Sequence, residues 1–231
     1  MNIKRILHRF SAPERQDVRQ QALKYAEQQR IAAFISIPRN ASNTIRHVLK
    51  LGKNRDHDDT NSLILHENHQ RGLILNRKYN LQNAFTFCFV RNPYDRCVSW
   101  FQFHKMMKLE PYTALTFREW IFEKMPHHWT LQNETDFQKE NLSPLLQSVF
   151  TEGCTLDYIG RVENFADDLK AVVNKLNAIC ENRSIPCAYR YQNKKLNTSY
   201  RSQSEAYYTP ASKDVVYQIL KEDFQQFGYC R

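Results

Sequence analysis

The stretch FISIPRNASNTI, residues 34–45, changes character in its middle. Its first half belongs to an apolar run, residues 32–37, that predicts a buried strand. A basic turn rich in hydroxyl and amide side chains follows, and Ile45, Val48 and Leu49 then recur at helical spacing. A strand, a polar turn and a helix in this order predict an α/β unit whose turn can hold an anion.

A second apolar run, residues 84–90, also ends on a basic turn, RNPYDR. Pro93 suits the first turn of a following helix, because its fixed φ is helical and its missing N–H is not needed there. Four apolar residues should form one face of that helix: Tyr94, Val98, Phe101 and Met106. Both basic turns should therefore fall at the carboxyl ends of strands, where parallel sheets bind their ligands.

The rest of the chain also alternates between strand and helix patterns. Residues 16–29 predict a polar helix, a short strand ends at Ile159, and the aromatic-rich residues 104–153 predict a helical cap that contributes to the acceptor region. Two amphipathic helices follow, one carrying Phe165, Leu169, Val172 and Leu176, and the last carrying Val215, Val216, Ile219, Leu220, Phe224 and Phe227. We predict an α/β fold with a P-loop-like, mainly parallel sheet flanked by helices, as a single domain over residues 1–231 with an N-terminal helical extension at residues 1–30.

Length and charge limit the setting. The 231 residues are 42% apolar and 13% aromatic, which is enough to bury the core of one domain. No run approaches the ~20 apolar residues of a membrane span, and the start lacks the apolar core of a signal peptide, so we expect a cytoplasmic protein. The net charge of +9 favours nucleic acid, an anionic membrane surface or a phosphorylated cofactor, and it does not choose among them.

The cysteines and paired histidines point to neither a disulfide framework nor a metal site. The six cysteines show no Cys-x-x-Cys pair, and we expect no signal sequence. Cys88 lies in an apolar run and is predicted to be a core residue, whereas Cys180 and Cys187 flank a loop and could pair only in an oxidising compartment. His127 and His128 have no acidic or cysteine partner at ligand spacing, so we predict no metal.

The first basic turn has two interpretations. Backbone N–H groups, the hydroxyls of Ser42 and Thr44 and the guanidinium of Arg39 could converge on a phosphate-like group. Alternatively, Ser42 or Asn43 simply caps the helix. The glycines of a P-loop of the G-x-x-x-x-G-K-[ST] type, which wrap the backbone around a triphosphate, are missing here.

Four blocks of sequence, taken in order, resemble one family. They are IPRNASNT (37–44), FVRNPYDRCVSWF (89–101), YIGRVENFADDL (158–169) and YYTPASKDVVYQILKEDFQQFGY (207–229). The chain resembles the sulfotransferases that use 3′-phosphoadenosine 5′-phosphosulfate (PAPS), in particular their carbohydrate-type and bacterial branches. The resemblance runs from about residue 33 to residue 230 and is weakest over residues 104–153.

In that family the first turn holds the 5′-phosphosulfate, and its lysine helps the leaving nucleotide to depart. The resemblance assigns this role to Arg39. A guanidinium keeps the charge and gains bidentate reach to phosphate, but it is broader than an ammonium group and cannot act as a deprotonatable donor. The remaining contacts of this loop are assigned to Asn40, Ala41, Ser42, Asn43 and Thr44.

The second turn corresponds to the family's 3′-phosphate site. The resemblance assigns the phosphate to Arg91 and Ser99, and we expect Arg96 to brace the turn through a salt bridge. Arg201, in NTSYR (197–201), resembles the family's late loop over the nucleotide, with a solvated arginine as the alternative. A further family block, interpreted as support for the end of the sheet with its arginine near the acceptor, contains Arg161, Glu163 and Asn164.

Sulfuryl transfer also needs a base for the acceptor hydroxyl. The segment HENHQRG (66–72) supplies His66 and His69 where related enzymes place a catalytic histidine, and spacing to Arg91 favours His69. We expect an apparent pKa near ~6.5 for the base, shifted by whatever surrounds the ring. Glu67 is a weaker alternative base, and a histidine that is not used would lie at the surface or share a helical face with the other.

The sequence thus predicts a metal-independent, PAPS-dependent sulfotransferase acting on a hydroxyl or amine of a carbohydrate or small metabolite. Two alternatives belong to other classes: a kinase-like phosphotransferase, and a non-catalytic binder of nucleic acid or anionic glycan. Magnesium-dependent ATP turnover would support the first, and salt-sensitive oligonucleotide binding without PAPS binding would support the second. We expect no specific nucleic-acid partner and no transmembrane segment, and contact with a membrane surface stays open.

Overall fold

The computed structural model describes residues 30–51, 63–67, 69–110, 112–125, 145–185, 189–191 and 204–231. Four strands form one sheet: β1 (Ala32–Ile35), β2 (Ile64–Glu67), β3 (Phe85–Val90) and β4 (Tyr158–Arg161). Their order across the sheet is β2-β1-β3-β4, and all three neighbouring pairs are parallel. The predicted single-domain α/β fold with a parallel sheet flanked by helices is confirmed.

Helices follow the strands in chain order. The first three are α1 (Ser42–Val48), α2 (Gly72–Tyr79) and α3 (Pro93–Met106). Two short helices come next, α4 (Phe117–Glu119), which continues into a π-helical turn (Trp120–Lys124), and α5 (Ser148–Thr151). The C-terminal part contains α6 (Phe165–Asn182), α7 (Pro210–Ile219) and α8 (Lys221–Gln226).

The inner strands are buried on both faces, as expected for a parallel sheet covered by helices. On one face Phe34 and Phe87 stack with ring centroids 5.2 Å apart, in a cluster that includes residues of α1 and α6. On the other face Cys88, predicted to be a core residue, is fully buried in a cluster with Leu75 of α2. A third cluster joins α3 to α7 and α8 around Trp120.

Several element boundaries differ from the sequence predictions. The first strand ends at Ile35 and not at residue 37, as the apolar run had predicted. Residues 36 and 37 lie between the end of the strand and Pro38. Strand β2 was missed, since ILHE is half polar and does not form a continuous apolar run. The predicted last helix is two helices that meet at Leu220. Met106 is 68% exposed, because five residues after Phe101 it has rotated off the apolar face.

One of the two cysteines that were predicted to pair only in an oxidising compartment forms a disulfide. Cys180 is buried and disulfide-bonded, and its partner lies outside the described residues. Cys88, Cys97, Cys154 and Cys230 are free thiols.

Within the described ranges, no helix combines the length and apolar character needed to cross a membrane. Several sequence predictions fall outside these ranges: the helix at residues 16–29, residues 126–144 of the predicted cap with His127 and His128, and Arg201.

Candidate active site

The two basic turns meet at the carboxyl edge of the sheet. From β1 the chain moves outward to β2 and then returns to β3 on the opposite side of β1. The connections after β1 and β3 therefore leave in opposite directions, and ligands of open parallel sheets bind at such a switch point. Both turns that were predicted to hold an anion flank this position.

The first turn adopts left-handed backbone conformations without glycine. Arg39 has φ 67° and Ala41 has φ 60°, a region that costs a non-glycine residue about 1–3 kcal/mol. Ala41 is the N-cap of α1, and no side chain caps this helix. Instead, the hydroxyl of Ser42 donates a hydrogen bond to the Ile37 carbonyl at 2.9 Å. The alternative in which Ser42 or Asn43 simply caps the helix is therefore wrong.

Arg39 reaches from the first turn to helix α3. Its Nε and Nη2 donate hydrogen bonds to the Ser99 hydroxyl at 3.2 and 3.0 Å, across 60 residues of sequence. The guanidinium also lies over the ring of Phe103, 4.6 Å from the centroid. The structure thus joins a residue assigned to the 5′-phosphosulfate directly to one assigned to the 3′-phosphate.

Arg91 is a buried arginine at the end of β3. The residue is 5% exposed, and its Nη1 lies 3.5 Å from the Arg39 carbonyl oxygen. Among the described residues, its Nε has no hydrogen-bond partner and no carboxylate lies within ion-pair distance of the guanidinium. Burying a cation without a counter-charge is costly, so this side chain is suited to an anionic ligand.

Arg96 braces the first turn, but not through the predicted salt bridge. Its Nε donates to the Pro38 carbonyl at 3.1 Å and its Nη1 donates to the Leu145 carbonyl. Burial lowers the pKa of Arg96 to about 10, and the nearby carboxylate of Asp223 acts in the opposite direction. Because main-chain oxygens receive these hydrogen bonds, the brace fixes the backbone of the turn.

Two other residues assigned to the loop turn their side chains inward. Asn40 Nδ2 donates to the Phe89 carbonyl at 2.8 Å and to Gln147 Oε1 at 2.6 Å. The Ser42 hydroxyl is engaged with the backbone, as described above, whereas Asn43 is exposed. The side chains of Asn40 and Ser42 therefore shape the turn, so that any contact they make with a ligand would come from their backbone.

His69 is hydrogen-bonded to the end of the first strand. Its Nδ1 lies 3.1 Å from the Ser36 carbonyl oxygen, which can only accept, so Nδ1 carries the proton and Nε2 keeps a lone pair. Burial lowers the pKa of His69 to about 4, and the hydrogen bond to Ser36 opposes this shift. The positive charges of Arg46, Arg96 and Arg39 act in the same direction as burial. A neutral imidazole with a free Nε2 is the form that a general base requires.

His66 has a different environment. Its ring stacks on Phe34 with centroids 5.5 Å apart, and its buried Nε2 has no hydrogen-bond partner in the described part of the chain. Burial, followed by the positive charge of Arg46, lowers the pKa of His66 to about 3. His66 lies on β2 and His69 in the turn beyond it, so the expectations of a surface position or a shared helical face are wrong.

Glu67, the weaker alternative base, is engaged elsewhere. Its Oε1 accepts a hydrogen bond from Lys78 Nζ at 2.7 Å and another from the Tyr79 hydroxyl. A carboxylate that is paired with a lysine is a weaker base than a free one. The geometry therefore favours His69 over Glu67 as the base.

The partly buried histidines His66 and His69 predict that the protein loses stability in mild acid. Both have folded-state pKa values far below the ~6.5 of an unfolded chain, so the unfolded state binds more protons below that pH. Their contribution is complete above pH ~6.5 and falls as the pH drops toward the folded values. At 1.36 kcal/mol per pH unit, each histidine should cost roughly 2 kcal/mol between pH 6.5 and pH 5.

Urea unfolding at pH 7 and at pH 5 measures this loss. His66→Gln should remove about half of the difference in unfolding free energy attributed to the two histidines. His47→Gln, a change at an exposed histidine on α1, is the control and should leave the difference intact. The same pH dependence in wild type, His66→Gln and His69→Gln would contradict the lowered pKa values of these two histidines.

The sequence analysis missed Gln147, which contacts both turns. Its Oε1 accepts from the Arg91 backbone N–H at 2.8 Å and from Asn40 Nδ2, and its Nε2 donates to the Arg91 carbonyl at 2.8 Å. No motif signalled this residue, because it lies in the aromatic-rich middle of the chain. Only its burial and its partners single it out.

The block GRVEN connects β4 to the same edge. Glu163 Oε1 accepts from the Asn92 backbone N–H at 2.7 Å, and Arg161 Nη2 donates to the Phe227 carbonyl at 2.6 Å. These contacts agree with the interpretation of the block as support for the end of the sheet. The parts of the chain that the structure describes contain no group of three or more His, Cys, Asp or Glu residues arranged to hold a metal ion.

Comparison with known families agrees with this geometry. A family model described as the sulfotransferase family matches residues 2–230. Searches of curated proteins and of solved structures gave no match. The family match spans both basic turns, the histidine segment and the C-terminal helices. The chain therefore belongs to the sulfotransferase family.

Proposed function

We propose that this protein transfers a sulfuryl group from PAPS to a hydroxyl or amine of a carbohydrate or small metabolite. Membership of the sulfotransferase family supports a transferase that moves a sulfuryl group. The observation that carries the choice of donor is Arg91, a buried guanidinium with no acidic partner among the described residues, placed at the switch point of the sheet.

The chemistry of the two turns fits a donor that carries two separate phosphate groups. When bound, PAPS supplies a sulfuryl group whose leaving group is a phosphate. Arg39 and Arg91 offer two guanidinium groups, each able to bind a phosphate through paired hydrogen bonds, and Ser99 adds a hydroxyl. We assign the leaving phosphate to Arg39 and the 3′-phosphate to Arg91 and Ser99.

Other donor contacts are assigned to the backbone of the first turn and to the late loop. In the first turn they comprise Asn40, Ala41, Ser42, Asn43 and Thr44. Arg201 would supply the contact from the late loop, and it lies outside the described residues.

We propose that His69 Nε2 accepts the proton from the hydroxyl or amine of the acceptor. The hydrogen bond from Nδ1 to Ser36 orients the ring, and it leaves Nε2 as the atom that can accept a proton. Burial, together with the positive charges of neighbouring arginines, makes His69 a weak base in the free protein, with a pKa of about 4. The negative charge of a bound donor would offset these arginines and so strengthen the base once the donor is in place.

Labelled turnover distinguishes the proposal from its alternatives. Incubation with sulfur-labelled PAPS and fractionated metabolites should yield a labelled product, whose identification gives the acceptor. The family match favours sulfuryl transfer over the kinase-like alternative. PAPS binding without any labelled product from a full metabolite extract would favour the non-catalytic binder.

The cytoplasmic location stays a prediction. Disulfides form and persist in oxidising compartments, so the bond at Cys180 favours a location of that kind instead.

The donor site predicts a preference for nucleotides that carry a 3′-phosphate. Wild type should bind 3′-phosphoadenosine 5′-phosphate (PAP) much more tightly than 5′-AMP, as measured by calorimetry. Removal of one charge-assisted contact typically costs ~1.5–3 kcal/mol, so Arg91→Ala should erase most of the preference.

Arg183→Ala is the matched control for this experiment. Arg183 donates to the carbonyls of Arg30 and Asn83, just before the amino ends of β1 and β3 and thus opposite the proposed site. It should lose no preference for PAP. Equal affinity of wild type for the two nucleotides would contradict the assignment of the 3′-phosphate site.

A further inference from the structure

We propose that Gln147 is a positioning residue that holds the turn after β3 in the conformation required by the 3′-phosphate site. The inference rests on the proposed function, because it concerns the site assigned to Arg91 and Ser99. Nothing in the family resemblance assigns a role to Gln147, which lies outside the four matching blocks.

The Gln147 side chain clamps the backbone of Arg91. Its Oε1 accepts from the Arg91 N–H and its Nε2 donates to the Arg91 carbonyl, both at 2.8 Å. Arg91 follows the last residue of β3, so the amide continues the hydrogen bonding of the strand after the sheet has ended. The position of the Arg91 Cα, from which the guanidinium extends, is thereby fixed.

The same amide connects the second turn to the first. Gln147 Oε1 also accepts from Asn40 Nδ2 at 2.6 Å, and Asn40 belongs to the turn that carries Arg39. Arg96 forms a parallel link, because it donates to Pro38 in the first turn and to Leu145, two residues before Gln147. Both basic turns are therefore hydrogen-bonded to one short segment, residues 145–148.

Asp223 anchors that segment from helix α8. Its two carboxylate oxygens accept from the Gln147 backbone N–H at 2.8 Å each, and Oδ1 also accepts from the Ser148 N–H at 2.9 Å. Asp223 and Gln147 are both fully buried. A buried carboxylate with these hydrogen bonds holds the segment rigidly, so the clamp on Arg91 has a fixed base.

Loss of the clamp should affect nucleotide discrimination more than the fold. A buried N–H and a buried carbonyl at Arg91 would lose their partners, and the turn would have to move to find new ones. That movement would displace the Arg91 guanidinium. The loss of a structural hydrogen bond elsewhere in the protein would not displace it.

Gln147→Met tests this, because methionine has similar volume and cannot form the clamp. The affinities for PAP and for 5′-AMP are measured by calorimetry on the full chain, with thermal unfolding as the readout of stability. The ratio of the two affinities should fall by about tenfold or more in Gln147→Met. A result in which a folded Gln147→Met keeps the wild-type ratio would overturn the proposal.

Asn177→Leu is the matched control. The Asn177 side-chain amide forms the same type of clamp, donating to the Tyr189 carbonyl at 3.0 Å and accepting from the Tyr189 N–H at 2.8 Å. This variant should lose stability and keep the wild-type affinity ratio. If it loses the ratio as well, the effect is one of general stability and the positioning role is refuted.

Two further outcomes separate this inference from the proposed function. If wild type itself shows no preference for PAP, the 3′-phosphate assignment fails, and with it the basis of this inference.

If Gln147→Met does not fold, Gln147→Glu replaces it, since glutamate can still accept from Arg91 but, when ionised, cannot donate to it. A reduced ratio in Gln147→Glu supports the positioning role, and an unchanged ratio refutes it.

Discussion

His69→Ala is expected to lower turnover by ~10²–10⁴-fold while the affinity for PAP stays nearly unchanged. Proton transfer to His69 Nε2 belongs to the chemical step, whereas the nucleotide is assigned to the two arginine-containing turns. His69 has φ 56°, a conformation that alanine tolerates less well than asparagine does. His69→Asn should therefore show the same loss of turnover with a smaller loss of stability.

His66→Ala is the control for this experiment, because it also removes a partly buried histidine and should reduce turnover much less. If the two results are exchanged, His66 is the base and the assignment from geometry fails. If both single variants and the double variant keep full activity on the true acceptor, no histidine of this segment is the base.

The pH dependence of activity gives an independent readout of the same group. The surroundings of the ring shift the base downward from ~6.5 in the free protein, where burial lowers the pKa of His69 to about 4. Because kcat/KM for the donor reports the free enzyme, its acidic limb should lie near this value. The limb of kcat should lie at higher pH, since the bound donor adds negative charge near the ring. Coincident limbs near pH 6.5 would contradict this electrostatic setting.

Arg39→Ala is expected to have the second largest effect, a loss of ~10²–10³-fold in kcat. A contact that strengthens as the leaving phosphate gains charge acts mainly in the transition state, so the affinity for PAP should fall much less than turnover. Arg39→Lys should retain or raise activity, because lysine supplies the compact donor of the related enzymes. Steady-state kinetics and calorimetry on the same preparations separate the two effects.

Lys50→Ala is the matched control for Arg39→Ala. Lys50 is also a basic residue with a positive φ, of 53°, but it is exposed near the end of α1. The variant therefore tests the loss of a positive charge and the change to alanine in a left-handed conformation, and it leaves the turn that contains Arg39 unaltered. A lysine variant at residue 39 that is as inactive as alanine would show that the geometry of this loop differs from that of the family.

The placement of the turns could be predicted, because it depends on a rule of topology. Two continuous apolar runs indicated inner strands, and parallel strands bring their carboxyl ends to one edge. The strand that carries His66 escaped this reasoning, since an edge strand needs to be apolar on only part of its length. Its existence decides the strand order and hence the position of the switch point.

The directions of the side chains in the site could not be predicted. A turn motif identifies Asn40 and Ser42 but does not show that their polar groups point inward to shape the turn. Nor does it show Arg96 bonded to carbonyl oxygens, because that depends on chain segments distant in sequence. Gln147 left no pattern at all, since a single buried amide has no periodicity.

The strand order also determines how the protein reaches its native state. Strands that are neighbours in the sheet are distant along the chain: Ala32 pairs with Phe85, and Phe87 pairs with Tyr158. Such pairings require the closure of long loops, and the chain loses conformational entropy before the stabilising contacts form. Proteins with many pairings of this kind fold slowly. Helices α1 and α3 can form locally and early, but Arg39 and Ser99 come together only when β1 has docked beside β3. The proposed anion-binding edge should thus form at a late, cooperative stage of folding, and neither half of the chain contains it alone.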